Sequence, residues 1–191
     1  MDFHTLCIGC RTYRRFKRKQ IPEEILDELL ENARIANSAM NGQLLRYVLV
    51  KTPEAVRKIQ PRFHFAAALP KELGQPKEGE QPAAFIILCT EGPETPWTGI
   101  DIGIAVRTMN LNAYIHGVGS CIIGNVEFEK VKEILSIPET WIPRLALALG
   151  YPSHKSSLVE LPEDGSVKYY LDEERQYYVP KRKRKDISII R

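Results

Sequence analysis

Apolar residues first recur at helical spacing between Ile25 and Ala33, where Ile25, Leu26, Leu29, Leu30 and Ala33 fall one to four apart. That pattern predicts an amphipathic helix from Pro22 to about Ile35 with one face on a core. Pro22 suits its first turn, and Glu23, Glu24 and Asp27 suit its positive end. Ahead of it, residues 3–10 read as a short helix and Arg11–Phe16 as a segment with no clear period. Tyr47–Val50 reads as a strand, and Thr52-Pro53 as the cap and first position of a short helix to about Gln60. Ala83–Thr90 is apolar without a break, the pattern of a buried strand. From Thr98 to His116, Ile100, Ile104, Ala105, Thr108, Leu111 and Ile115 keep a helical stripe that Gly117 ends. The apolar residues of this helix spread over several faces, which predicts a central position. A short strand at 119–124, a small amphipathic helix at 128–135 and a second buried strand at 143–150 complete the pattern.

Between these elements, residues 61–82 carry Pro61, Pro70, Gly74, Pro76, Gly79 and Pro82, which rule out a long element. So long a connection inside a compact domain is often functional. Phe63 and Phe65 are candidates for stacking on a substrate, against the ordinary fate of core packing. His64 reads as a surface or hydrogen-bonded histidine. Beyond Pro152 the character changes: a turn at 163–165, an extended stretch at 167–171, four tyrosines (Tyr169, Tyr170, Tyr177, Tyr178), a basic run, then Ile187, Ile189 and Ile190. The expectation is one domain over residues 1–191, with 153–191 as a C-terminal arm that packs on a partner subunit or on its own domain.

The length of 191 residues suits one domain with a real core. Apolar and charged contents of 43% and 27% are those of a soluble globular protein. No apolar run is long enough to span a membrane, and the N-terminus lacks the basic-then-apolar pattern of a secretory leader, so a cytoplasmic location is expected. The net charge of +3 is modest, but six of the nine residues from Arg11 to Lys19 are basic, and Lys181–Lys185 is an unbroken run of five. Basic clusters at both ends suggest an anionic ligand or surface, unless both are only solvated faces. Cys7 and Cys10 form a C-x-x-C pair, but Cys89 and Cys121 stand alone in apolar runs, so the second pair of a structural zinc site is missing. No histidine spacing suggests a metal site.

The most informative stretch is Ala36-Asn37-Ser38-Ala39-Met40-Asn41-Gly42-Gln43. Small and amide residues turn chains, which is the plain reading. Their side chains also offer donors and acceptors suited to the edge of a planar heteroaromatic ring.

Taken together, three stretches resemble the FMN-dependent nitroreductase family. Arg11-Thr12-Tyr13-Arg14-Arg15-Phe16 is similar to the family's N-terminal Arg-Arg-Ser-x-Arg-x-Phe signature, and Ala36–Gln43 to its Ala-Pro-Ser-x-x-Asn-x-Gln loop. Asp101–Ala105, Gly117–Gly124 and Ala148–Pro152 are similar to its central helix, flavin-edge strand and closing Gly-x-Pro. Val179-Pro180-Lys181-Arg182 matches a tail seen in one branch. The resemblance implies an α+β fold, a mixed and mostly antiparallel sheet flanked by helices, built as an intertwined homodimer with FMN at the interface. By matched position, Arg11, Thr12 and Arg14 would hold the phosphate and ribityl chain, and Arg182 with Lys181 nearby, or Arg184 in a shifted register, would complete the phosphate clamp. Ser38 and Asn41 would come from the other subunit, Gln43 would lie near the flavin edge, and Ile122, Ile123 and Gly124 would line the ring. The chain departs from the pattern at Cys10, which takes the place of the first signature Arg, at Asn37 in place of Pro, and at Leu44-Leu45 in place of Pro-Trp.

The resemblance further implies an NAD(P)H-dependent oxidoreductase in which flavin N5 carries the hydride chemistry, with no catalytic side chain assigned. NADH or NADPH would reduce the flavin, and a small organic acceptor, a nitroaromatic or a quinone, would then take two electrons in ping-pong fashion. Two other classes fit parts of the sequence: a flavin-binding module without turnover, and a polyanion or nucleic-acid binder using the basic clusters with Tyr13, Phe16, Tyr177 and Tyr178. No nucleic-acid motif accompanies those clusters, so nucleic acid is not expected as a partner.

Overall fold

The structure is a computed structural model that describes residues 1–191, the side chain of Lys71 excepted. Its centre is an antiparallel sheet of β1 (Leu45–Val50), β2 (Ala84–Glu91), β3 (Gly119–Ile123) and β4 (Trp141–Gly150), in spatial order β1-β2-β4-β3. Helices α1 (Phe3–Gly9), α2 (Glu23–Ile35), α3 (Pro53–Ile59), α4 (Lys71–Gly74), α5 (Thr98–Ile115) and α6 (Phe128–Leu135) surround it. The α+β architecture with a mostly antiparallel sheet is the expected one.

The unbroken apolar run of β2 follows from burial on both faces. Ile86 and Leu88 pack with Leu26 and Leu29 of α2 and Met109 of α5. Phe85, Ile87 and Cys89 point the other way, toward Val56 and Ile59 of α3, Phe63, and Val131 of α6. Helix α2 uses the apolar face read from its spacing, and Thr52 Oγ1 caps α3 by accepting the Ala55 N–H at 3.3 Å.

Two expectations change. The strand predicted from Pro143 begins at Trp141, with Pro143 inside it. Proline lacks a ladder donor, and it is tolerated here because the β2–β4 register shifts between Leu88 and Cys89, next to the Cys89–Pro143 pair. Phe63 is 2% exposed and stacks on Phe85 with ring centroids 4.4 Å apart, so it is core and not a substrate platform.

The C-terminal stretch forms a second, small sheet. In it β7 (Tyr177–Lys181) lies between β5 (Ser156–Glu160), parallel to it, and β6 (Tyr170–Leu171), antiparallel. Tyr177 is 1% exposed and anchors this sheet on the body, its ring 4.7 Å from that of His154. Ile187, Ile189 and Ile190 beyond it are exposed. Among the described residues no helix is long and apolar enough to cross a membrane.

His154 ties the small sheet to the segment after α1. Its Nε2 accepts the Arg14 backbone N–H at 3.0 Å, so Nδ1 carries the hydrogen, which it donates to the Lys155 carbonyl at 2.9 Å. Burial, with the Arg14 and Arg15 charges adding to it, lowers the His154 pKa from 6.5 to about 4. The folded state therefore binds this proton less readily than the unfolded chain. The stabilisation is complete above pH 6.5 and is lost as pH falls toward 4, in all about 3 kcal/mol. In urea titrations the wild type should lose stability steeply over that window, and His154→Gln should show a flatter profile. An equal slope in both proteins would exclude His154 as its source.

Candidate functional site

The site begins at the outer edge of β3, which has a strand neighbour on one side only. The segment after α1 lies along the start of that edge: Thr12 bridges Ser120, and the Tyr13 N–H donates to the Ser120 carbonyl at 2.9 Å. Because backbone groups on a strand alternate in direction, the edge that presents the Ser120 carbonyl also presents the N–H and C=O of Ile122 two residues on. Ile122 is 46% exposed, whereas Cys121 and Ile123 turn their side chains into the core. By the same alternation the Ile123 peptide faces β4, so Ile123 lines the edge without offering it a free hydrogen-bonding group. A cavity of about 210 Å³ opens at this edge, lined by Arg14, His64, Phe65, Ile122, Gly124 and Tyr169, among others.

Cations gather at the same edge. The Arg14 guanidinium lies over the rings of Tyr169 and Tyr177, at 4.6 and 4.9 Å. Arg11 Nη2 donates to the Cys7 carbonyl. The Nε atoms of Arg11, Arg14 and Arg15 are buried without a hydrogen-bond partner. Buried donors left unpaired cost stability; of the three, Arg14 lines the cavity at the open edge, where a bound anion would satisfy it.

Behind this edge a polar network ties β3 to α5. Asn110 Nδ2 donates to Ser120 Oγ, and the Cys10 thiol donates to Asn110 Oδ1 at 2.8 Å. Burial pushes the Cys10 thiol pKa up, with the Arg107 charge opposing it. Arg107 Nη1 stands 3.5 Å from that sulfur. On the other side, Arg15 donates to the Arg175 carbonyl, and Arg175 grips Glu80 with both Nη atoms at 3.0 and 3.3 Å. Burial works against the Glu80 carboxylate, yet the Lys77 N–H and the Arg175 guanidinium hold its pKa below the usual range.

The amide-rich loop lies elsewhere in the chain. Ser38 and Gln43 line a separate cavity of about 500 Å³ with Arg46, Tyr47 and Asp101. Three non-glycine residues here hold left-handed backbone: Met40 at φ 52°, Asn41 at φ 53° and Gln43 at φ 49°. Such strain persists only where surroundings enforce it. The enforcing contacts are the buried Asp101, whose Oδ1 accepts the Ala39 N–H at 2.9 Å, and Ser38 Oγ, which accepts the Gln43 N–H at 3.3 Å.

The residues singled out from sequence thus fall into two groups within one chain. Arg11, Thr12, Arg14, Ile122, Ile123 and Gly124 meet at the β3 edge, while Ser38, Asn41 and Gln43 belong to the loop held by Asp101. Arg182 is exposed just beyond β7 and lines neither cavity. Sequence reasoning missed Arg107, Arg15 and Asp101 as site residues. The one available signal was a set of polar residues, Asp101, Arg107 and Asn110, inside a helix otherwise apolar on several faces.

Comparison with known proteins bears on the same elements. The profile of the Nitroreductase family matches residues 9–151, more than half of the chain. A Methanothermobacter thermautotrophicus protein, provisionally named NADH dehydrogenase/NAD(P)H nitroreductase, is 28% identical over 79% of this chain and 78% of its own. An FMN reductase (NADPH) of Bacillus subtilis is 26% identical over 76% of this chain and 64% of its own length. Among solved structures, the NfrA1 nitroreductase of B. subtilis superposes with a TM-score of 0.68 at 22% identity, covering 85% of this chain and 71% of that one. At that identity the likeness is one of fold.

Asp101→Ala should leave the Ala39 N–H unpaired and release the strained loop, lowering stability by about 1–3 kcal/mol in urea titration. Hydrogen exchange at the Ala39 amide should quicken more than the global loss accounts for. Unchanged exchange there would mean that the loop holds itself.

Proposed function

The chain belongs to the nitroreductase family, and from that premise we propose that it carries two electrons from NADH or NADPH, through FMN bound at the β3 edge, to an organic acceptor such as a quinone or a nitroaromatic. That it is an NAD(P)H-dependent flavin oxidoreductase in the general sense follows from its family and relatives. The observation that supports this reading is the meeting of the outward Ile122 peptide with the Arg14 guanidinium, whose Nε is buried and unpaired, at one edge.

These residues fit FMN. Guanidinium forks bind phosphate bidentately, which suits Arg11 and Arg14, with the Thr12 hydroxyl as a further donor. The outward backbone of Ile122 and Gly124 suits the polar edge of a planar ring. Arg107, beside the Cys10 thiol, offers a guanidinium close to where the family signature has its first Arg. Bound FMN supplies the two-electron chemistry that no side chain here can perform. The protein's part is to hold the ring, screen it and leave one face open.

The site is half built in one chain. Proteins of this family are generally homodimers. Helix α5 leaves Trp97, Ile100, Ile104 and Ile115 exposed, an unpartnered apolar face of the kind a subunit covers. A second copy seated on α5 carries with it the amide loop that Asp101 fixes to the start of that helix. Ser38 and Asn41 of one subunit then serve the flavin of the other, with Gln43 near its edge. The C-terminal arm, through Lys181, Arg182 and the exposed isoleucines, packs on the partner and closes the phosphate clamp.

Purified protein supplied with FMN should show flavin absorbance that bleaches when NADH or NADPH is added anaerobically, and the faster donor names the physiological one. Arg14→Ala should weaken FMN binding by roughly 10- to 100-fold, the range for a charged hydrogen bond. A protein that takes up no FMN, or an Arg14→Ala variant that binds it as well as the wild type, would contradict the placement.

A further inference from the structure

The reaction proposed above leaves one proton unassigned. For an acceptor A the balance is NAD(P)H + H⁺ + A → NAD(P)⁺ + AH₂. The donor brings two electrons and one proton as hydride, and the second proton must come from elsewhere.

Few groups on the cavity wall can supply it. Arg14 keeps its proton at any physiological pH. Burial raises the Cys121 thiol to about 11, out of range for an acid at neutral pH. Tyrosines as a class hold their proton to about pH 10, and the Tyr169 ring is engaged under Arg14. His64 is different, because an imidazolium can release a ring N–H proton and take one back from water.

The backbone around His64 is fixed. The His64 N–H donates to the Asn125 carbonyl at 3.0 Å, Phe63 bridges Val126, and the Glu127 N–H donates to the Arg62 carbonyl at 3.0 Å. Residues 62–64 are thereby zipped to 125–127, and His64 is held beside Gly124 at the end of the β3 edge. Glu127 Oε1 stands 3.9 Å from His64 Nε2. Lys130, which ion-pairs with Glu127, holds that carboxylate below its usual pKa, so it is an anion near neutrality. The charged groups around the imidazole are Glu127, Arg62, Lys130 and Arg14; Arg62 Nη1 is 3.8 Å from Glu127. The imidazole is 46% exposed, so water can reprotonate it.

We propose that His64 is the acid that protonates the reduced acceptor, with Glu127 as the positioning residue that turns Nε2 toward itself and leaves Nδ1–H for the cavity. This rests on the reading of the β3 edge as the flavin site. As the acceptor takes the electron pair and the hydride's hydrogen, the Nδ1–H bond breaks and an O–H bond forms on the acceptor. The imidazolium becomes imidazole, and a proton from water restores it. For a quinone the product is the hydroquinone, with both electrons and both protons accounted for.

The test uses FMN-loaded protein, with p-benzoquinone as acceptor and 4-nitrobenzoate as a probe followed without electron donor. His64→Gln should slow quinone reduction by about 100-fold at pH 6, the low end for general-acid catalysis, while NADH bleaches the flavin as fast as in the wild type. By NMR, 4-nitrobenzoate should shift the His64 imidazole resonances in the absence of turnover, and Glu127→Gln should move them as well. Quinone reduction by His64→Gln at the wild-type rate from pH 5 to 9, with bleaching intact, would overturn the inference and leave the flavin reading standing. So would imidazole resonances that ignore both the probe and Glu127→Gln. Wild-type protein that takes up no FMN would overturn the flavin reading, and this inference with it.

Discussion

The constraint on which the rest depends is the laying of residues 12 and 13 along the outer edge of β3. It is made by few bonds, chiefly the Tyr13 N–H to the Ser120 carbonyl, each worth about 1 kcal/mol net. Close approach adds to it. Gly119 and Gly150 are register partners at the end of the sheet. A Cβ on Gly119 would meet Pro152 and Tyr13 at 2.6 and 2.7 Å, and one on Gly150 would meet Phe16 at 2.7 Å. Only with both side chains absent can Tyr13 and Phe16 press onto the strand ends. The β3–β4 register sets which peptides face outward, and that contact brings the segment carrying Arg14 to the same edge.

Helix α5 joins this edge to the other half of the site. Asp101 in its first turn holds the strained loop through Ala39, and Asn110 further along bonds Ser120 behind the β3 edge. Its neighbour Arg107 reaches the Cys10 thiol. Between these anchors Ala105, Val106 and Met109 fill the core, while Ile100 and Ile104 look out to solvent. One helix therefore supports the cation edge, the amide loop and the face on which a second subunit fits. Its lack of a single polar side, legible as apolar residues on several faces, has this physical cause.

The elements with strong periodicity were legible in the sequence. Helix α2 has its expected ends, the buried run at 83–90 is β2, and α5 and α6 lie within a residue of their expected spans. What was not legible depends on partners distant in the chain. β5 and β7 carry no pattern of their own and exist because Tyr177 docks on His154. Phe63 looked free to stack on a ligand, but Phe85 claims it. The basic run from Arg11 to Lys19 looked like one cluster. In the fold it divides: Arg11, Arg14 and Arg15 turn inward, and Lys17, Arg18 and Lys19 line a separate basin with Arg57. That division weakens the case for a polyanion binder, which would need the charges on one face.

The central claim is that FMN binds along the β3 edge. The most direct measurement is amide hydrogen exchange, resolved to single residues, in the apoprotein before and after FMN is added. The account predicts that the Ile122 amide, outward on edge strand β3, and the Gly124 amide just past its end gain strong protection when FMN binds, while amides on the far edge at β1 do not. FMN binding that leaves Ile122 and Gly124 exchanging as before would contradict it.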